Sequence, residues 1–401
     1  MNDFFQQLNR DLKQQGTGTP QLIIDSSRLD QNIAYVQQQL KTAPHLQARL
    51  VVKSLACMSL LKKLSCDFNC RRFMVFHIAH LSQMFEAFDQ SDLLFGKPMP
   101  IKAVEQFYQQ IYQQHIEIKN NQLHWLIDHI ERLKQYVELA KTIDVKLRVN
   151  IEIDVGLHRG GVRTISEFDQ LLNYIRQHSD LLELTGLMGY DAHVTKVPSI
   201  IKKTERAYEE SQQIYADYID HLKTHHADLW HDQLCFNGGG SPTFEFHVKD
   251  SVCNDLSFGS MLFKPSDFDS QYLKNLQPCL FIAAPVLKVL DAVEMPSMPW
   301  LNPFKGLHHQ QAVFIYGGYW MGQYVYPPKT RPHLLYGRST NQELVCISRD
   351  YPIHRDDYVF VRPSQSESVI PQFSHSYLYQ HQSSEVELSQ CTFQVWENFR
   401  E

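Results

Sequence analysis

Lys53 ends a run of β-branched and aliphatic residues, Leu50-Val51-Val52, and Ser54-Leu55 opens a helix-like segment directly after it. A run of that composition reads as a strand buried on both faces, which emerges where a parallel sheet opens to ligands. An ammonium half-desolvated at such a mouth has its pKa lowered, which suits imine formation or proton transfer. The plainer reading of one Val-Val-Lys-Ser is a lysine snorkelling at a strand end. Arg159 lies inside Asp154-Val155-Gly156-Leu157-His158-Arg159-Gly160-Gly161. Glycines there let the backbone approach a ligand while the guanidinium offers a planar fork to a carboxylate or phenolate. His193 follows Gly189-Tyr190-Asp191-Ala192, although in a chain with 20 histidines a structural role is the first reading. Asn237-Gly238-Gly239-Gly240-Ser241-Pro242-Thr243 gathers backbone N–H groups and hydroxyls that suit a phosphate. Asp255-Leu256-Ser257-Phe258-Gly259-Ser260 places a further glycine after a strand-like stretch.

Those residues need a scaffold, and the chain alternates strands and helices to supply one. Strand patterns occur at 21–25, 49–53, 72–76, 92–95, 122–127, 145–153, 182–188 and 233–236, with helical sequence between them. About eight such alternations favour a closed (β/α)8 barrel of the TIM type over an open sheet, with chemistry at the carboxyl ends of its strands. Near Gln277 the helical periodicity fades. Beyond it, runs such as 312–316, 344–347 and 357–361 are divided by Gly and Pro. The expected organisation is a barrel over residues 1–277, entered by a short N-terminal helix, and a β-rich domain over 278–401.

Composition excludes several classes of partner. A net charge of −6 with 43% hydrophobic and 20% charged residues gives no footprint for nucleic acid or anionic lipid. No window holds 18 uninterrupted apolar residues, so no membrane span is expected and a cytoplasmic protein is the default. Eight cysteines lack metal or redox spacing and read as reduced thiols.

Amine, Arg-Gly loop, His, glycine cup and glycine-containing strand follow one another in an order that resembles the fold-type III pyridoxal-phosphate enzymes, the alanine racemase group. Within that group the chain most resembles the D-threonine aldolase and D-serine dehydratase branch. The resemblance implies pyridoxal 5'-phosphate held through an imine to Lys53. It implies Arg159 near the cofactor's phenolate oxygen or the substrate, and His193, with Tyr190, near the pyridine ring. Asn237, Gly238, Gly239, Gly240, Ser241 and Thr243, with Gly259 and Ser260, would bind the cofactor, chiefly its phosphate. Ser257 stands where the racemases place an Arg against the pyridine nitrogen. Lys53, as base, and His193 are the expected catalytic residues, and a head-to-tail homodimer with shared sites is implied. In the lyase branch a Pro-x-His-x-Cys or Pro-x-His-x-Asp element binds a divalent metal. Here Pro363-Ser364-Gln365-Ser366-Glu367 puts Gln365 and Glu367 at the ligand positions. That oxygen pair suits only a hard ion held weakly, which puts the metal in question. Tyr316, Tyr319 and Tyr336 are read first as core aromatics.

The function expected is a lyase on D- or β-hydroxy amino acids. An amino acid racemase is the neighbouring alternative. A cofactor carrier or regulator without turnover is the alternative from another class.

Overall fold

In the computed structural model, which describes residues 2–113, 122–198, 200–291, 310–334, 336–382 and 390–399, eight parallel strands close into a ring. Before them run helix α1 (Asn2–Gln15), strand β1 (Gln21–Asp25) and helix α2 (Ser26–Lys41). The ring is β2 (Gln47–Val51), β3 (Arg72–Val75), β4 (Asp92–Phe95), β5 (Leu123–Ile127), β6 (Leu147–Glu152), β7 (Leu182–Gly189), β8 (Cys235–Gly238) and β9 (Asp255–Phe258), with β9 paired back to β2. Helices α3 (Met58–Asp67), α4 (Ala79–Ala87), α5 (Ile101–Gln113), α6 (Ile130–Ile143), α7 (Ile165–Gln177), α8 (Thr204–His225) and α9 (Phe244–Lys249) lie between successive strands. This is the barrel expected from the alternation.

Helical spacing explains how the outer layer forms. In α5 the buried residues are Val104, Phe107, Tyr108 and Ile111, one stripe at helical period. Trp125 of β5 is buried beside them; its ring stacks on Phe95 at 4.6 Å and its N–H donates to Tyr108 at 3.0 Å. The start of α7 is fixed by a capping box: Thr164 accepts from the Glu167 N–H, and the Glu167 carboxylate accepts from the Thr164 N–H.

A second compact unit gathers residues 1–32, 262–269 and 276–399. Its nine-stranded sheet contains β1 with β10 (Leu280–Leu290), β11 (Gln310–Tyr316), β12 (Gly322–Tyr326), β13 (Arg331–Pro332), β14 (Gln342–Ser348), β15 (Tyr358–Pro363), β16 (His375–Gln382) and β17 (Gln390–Glu397). Phe5, Leu8 and Leu12 of α1 pack on Ile23, Phe281, Tyr358 and Phe360 of that sheet. β1, expected to belong with the barrel, therefore lies in the β-rich unit, antiparallel to β10 and parallel to β16. β9 takes the eighth place in the ring. The sequence could not separate the two because a run buried throughout, as Gln21–Asp25 is, suits a central sheet strand as well as a barrel stave.

Tyr316, Tyr319 and Tyr336, read as core aromatics, are 43%, 61% and 48% exposed. They sit at a strand end and in turns, and in the Gly317-Gly318-Tyr319-Trp320 turn it is Trp320 that fills the interior. All eight cysteines are free and six are buried. Among the described residues no helix is long and apolar enough to cross a membrane.

Candidate active site

Lys53 stands in a tight turn, Val52–Leu55, that continues β2 at its carboxyl end. Its Nζ lies 4.3 Å from the centre of the Phe76 ring, just past β3, so the amine rests on an aromatic face at the barrel mouth. Gly259, after β9, backs onto this turn. A Cβ there would come within 3.0 Å of the Val51 Cβ and 3.1 Å of the Ser54 Cβ.

Contacts run onward from Gly259 through the other predicted residues. Ser241 Oγ accepts the N–H groups of Gly259 (3.4 Å) and Met261 (3.1 Å), leaving the Ser241 proton to be donated elsewhere. Gly240 backs onto Tyr190 so closely that a Cβ would meet its ring at 2.9 Å. Arg159 lies over the same ring, its Cζ 4.9 Å from the ring centre. One end of the barrel therefore carries the lysine turn, the glycine cup and the Arg159 loop as a connected rim. Gly239 needs its glycine: φ is +72° and a Cβ would lie 2.4 Å from Leu256 Cδ1.

Thr243 is fixed for a different purpose from the one expected. It is 1% exposed, and its hydroxyl donates to Asp191 Oδ1 at 2.8 Å. His247 Nε2 bonds the other Asp191 oxygen at 2.8 Å, so the carboxylate clamps the loop after β7 to α9. The cup's remaining donors are backbone N–H groups and the Ser241 hydroxyl.

Asp154 organises the loop that bears Arg159. Its Oδ1 accepts from the backbone of Gly156 (3.1 Å) and His158 (2.9 Å), and its Oδ2 meets His158 Nδ1 (2.8 Å) and accepts from Arg163 Nε (3.1 Å). Burial pushes this carboxyl up, but those hydrogen bonds outweigh it and hold it below the ordinary range. His193 leans on the same loop, its Nε2 3.0 Å from where a Cβ of Gly156 would stand. Burial lowers the imidazole's pKa against the pull of Asp191 and Asp154, and its buried Nδ1 has no hydrogen-bond partner.

Under the rim lies an ionic floor. Arg49 and Asp255 are both fully buried and paired twice, Nε to Oδ1 at 2.7 Å and Nη2 to Oδ2 at 3.0 Å. Arg49 Nη1 reaches Asp92 Oδ1 at 2.8 Å, and Arg72 Nη1 reaches Asp255 Oδ2 at 2.9 Å. Burial pushes the Asp92 carboxyl up, but Arg49, His124 and Arg72 prevail and hold it well below its ordinary value. Burial lowers His124 to about 4 against the pull of Asp92; its Nε2 is 3.3 Å from Asp92 Oδ1 without hydrogen-bond geometry, so the two act on each other through charge alone. Asn237 donates to Asp255 Oδ1 (2.5 Å) and to Ser257 Oγ (2.8 Å). Ser257 thus accepts from Asn237 and directs its own proton at the Met74 sulfur at 3.9 Å, a weak acceptor that a neutral nitrogen could replace, whereas a hydroxyl would not hold a cation.

Sequence reasoning missed Glu152, the last residue of β6. It is 8% exposed, and burial together with Asp128 and Asp154 pushes its carboxyl up to about 7 against the pull of Arg159. The available signal was the polar alternation Arg148, Asn150, Glu152 between the apolar Leu147, Val149 and Ile151.

Gln365 and Glu367 belong to the β-rich unit. There the Gln365 amide donates to Asp267 at 3.0 Å and Glu367 accepts from Ser366 at 3.4 Å. Among the described residues, the cluster of three carboxylate or imidazole groups is elsewhere: Asp169 of α7 with His221 and His226 at the end of α8. Arg176 approaches His226 Nδ1 at 2.9 Å, and a guanidinium can only donate. The His226 proton is therefore on Nε2, directed at Asp169 at 2.7 Å, an arrangement of hydrogen bonds and not of metal ligands.

Comparisons with known proteins place this architecture. A D-threonine aldolase from Filomicrobium marinum is 16% identical, with a TM-score of 0.70 over 94% of each chain. A D-threo-3-hydroxyaspartate dehydratase from Delftia sp. HT23 is 16% identical, with a TM-score of 0.69 over 96% of this chain and 98% of that one. An alanine racemase from Bacillus anthracis is 13% identical, with a TM-score of 0.62 over 85% and 84%. At such identities the likeness establishes a common fold. No curated protein sequence matches the chain. The family model described as alanine racemase, N-terminal domain matches residues 24–267, more than half of the chain, and the protein belongs to that family.

Proposed function

We propose that the protein is a pyridoxal 5'-phosphate enzyme of the lyase type acting on a β-hydroxy D-amino acid. The observation that carries the reading is the connected rim: the Lys53 turn against Gly259, Gly259 bonded to Ser241, Gly240 on Tyr190, and Tyr190 under Arg159. The rim fits that cofactor. An amine stands at one side, glycines keep side chains out of the loop that would approach the phosphate, and a buried imidazole nitrogen, His193 Nδ1, has no protein partner. When bound, the cofactor withdraws electrons from the substrate's α-carbon.

Lys53 would hold the cofactor and afterwards carry a proton at Nζ. Gly239, Gly240 and Ser241 would bind the phosphate through backbone N–H groups and the Ser241 hydroxyl. Ser257, oriented by Asn237 and Asp255, would donate to the ring nitrogen. Arg159 would bind an anionic oxygen of cofactor or substrate, held in place by the Asp154 loop and the Tyr190 ring. The likeness to a D-threonine aldolase and a D-threo-3-hydroxyaspartate dehydratase supports a lyase on a β-hydroxy substrate. The proposal includes a homodimer, which sedimentation tests.

Purified protein should show the visible absorbance of a lysine-bound cofactor, and Lys53→Ala should abolish it. D-Serine or D-threonine, assayed with and without magnesium or manganese, should yield ammonia or aldehyde. An inverted amino acid would establish a racemase instead, and an unchanged spectrum without product would establish a carrier.

A further inference from the structure

Glu152 faces Lys53 across the mouth of the barrel. In the closed order β2-β3-β4-β5-β6-β7-β8-β9, β6 is the fourth strand from β2 in either direction, so the groups ending these two strands stand on opposite walls. Alternation along β6 sets the direction of the side chain. Leu147, Val149 and Ile151 are apolar and buried, and Val149 is in register with Trp125, which packs on Phe107 of α5 and Tyr136 of α6, so the alternate residues Arg148, Asn150 and Glu152 point into the lumen. Asn150 is fully buried with both amide atoms unpartnered, and it presents a donor and an acceptor on the same inner face.

The chain closes over Glu152 from outside. Its carbonyl accepts from the Val162 N–H at 2.8 Å, and Asp154 N–H donates to the Val162 carbonyl at 2.9 Å. Gly160, beside Arg159, leaves room for the carboxylate, whose Oε2 lies 3.9 Å from where a Cβ would be. The charged groups acting on it are Asp128 after β5, Asp154 in the loop and Arg159. Among the described residues no side chain hydrogen-bonds its carboxylate. A carboxyl group brought to about 7 keeps its proton in a large share of molecules at neutral pH.

We infer that Glu152 is the acid that protonates the departing β-oxygen of the substrate, opposite the amine that removes the α-proton. The assignment rests on the lyase reading and specifies it as elimination. Lys53 Nζ takes the proton from Cα, and the electron pair of that C–H bond becomes the second bond between Cα and Cβ. The Cβ–O bond breaks with its pair on oxygen, which takes the Glu152 proton and leaves as water. A second water then hydrolyses the unsaturated amine to keto acid and ammonia, and Glu152 regains a proton from Lys53 through solvent.

The test uses the cofactor-loaded enzyme with D-serine, whose hydroxyl must be protonated to leave, and β-chloro-D-alanine, whose chloride leaves unaided. Glu152→Gln should lower kcat on D-serine by about 100-fold or more and on β-chloro-D-alanine by less than about fivefold, while Glu152→Asp restores part of the D-serine rate. In wild-type protein the 13C resonance of the Glu152 carboxyl should titrate with a midpoint of about 7, a measurement that stands even if a variant fails to fold. Equal loss on both substrates, an undiminished D-serine rate, or a midpoint at the ordinary 4.5 would overturn the assignment alone. Aldehyde from D-threonine without ammonia from any substrate keeps the lyase reading and overturns the acid. No product from D-serine, D-threonine or β-chloro-D-alanine with wild-type enzyme overturns both.

Discussion

Replacing Asp255 with leucine should destabilise the barrel unit by about 3–5 kcal/mol, because it strips one partner from a buried pair. The magnitude follows from what each group loses. Arg49, fully buried, gives up two charge-assisted bonds, at 2.7 and 3.0 Å, and keeps Asp92 at 2.8 Å with carbonyls of Phe73 and Asp92 at 3.2 Å. Arg72 loses a bond at 2.9 Å but is partly exposed and can turn to water. Asn237 loses its acceptor and retains Ser257. The retained Asp92 contact argues for the lower part of the range. Urea unfolding of wild type, Asp255→Leu, Arg49→Met and the double variant, followed by circular dichroism, gives the comparison as midpoint shifts at constant slope. The double variant removes both charges and should be more stable than the sum of single losses predicts, by about 1–3 kcal/mol. A single loss below about 1 kcal/mol, or strictly additive losses, would refute the view that this floor is held by mutual compensation of buried charge.

Glu152→Gln should flatten the pH dependence of stability. A carboxyl raised from 4.5 to about 7 in the fold binds more protons folded than unfolded, so its stabilising effect is complete below 4.5 and is lost as pH rises through about 7. The variant should gain up to about 3 kcal/mol on wild type at pH 8 and little at pH 4.5, read from urea midpoints at the two pH values. Asp191→Ala removes the clamp on Thr243 and His247 and should cost about 2–3 kcal/mol, with cofactor dissociation measured by equilibrium dialysis weakened about tenfold. Gly239→Ala should be more damaging than Gly18→Ala in thermal unfolding. Both glycines have φ near +70°, but a Cβ at Gly18 meets nothing within 4 Å, whereas at Gly239 it collides with Leu256. Equal losses would mean that backbone strain, about 1–2 kcal/mol, accounts for both.

What the sequence determined by itself is local in origin. The alternation of apolar runs with helical stripes specified staves and outer helices, because side-chain period is a property of a few consecutive residues. The Lys53 turn and the glycine cup were legible for the same reason: a strand end and a need for φ above zero are encoded where they occur. The Asp154 loop announced itself by its glycines, although only the structure showed that Asp154 organises it.

Tertiary structure decided whatever depends on residues far apart in the chain. β1 left the barrel for the sheet of the β-rich unit because its partners, β10 and β16, lie more than 200 positions away. Thr243 was turned from ligand donor to structural anchor by Asp191, and Ser257 received its orientation from Asn237 and Asp255. Tyr316, Tyr319 and Tyr336 lie at the surface while Trp320, next to Tyr319 in the chain, is buried, an outcome set by packing and not by residue type. Glu152 shows the division most clearly. Its identity was plain in β6, but its altered acidity exists only after ring closure removes water and brings Asp128, Asp154 and Arg159 around it. Desolvation and the field of distant charges belong to the assembled barrel, and no window of sequence contains them.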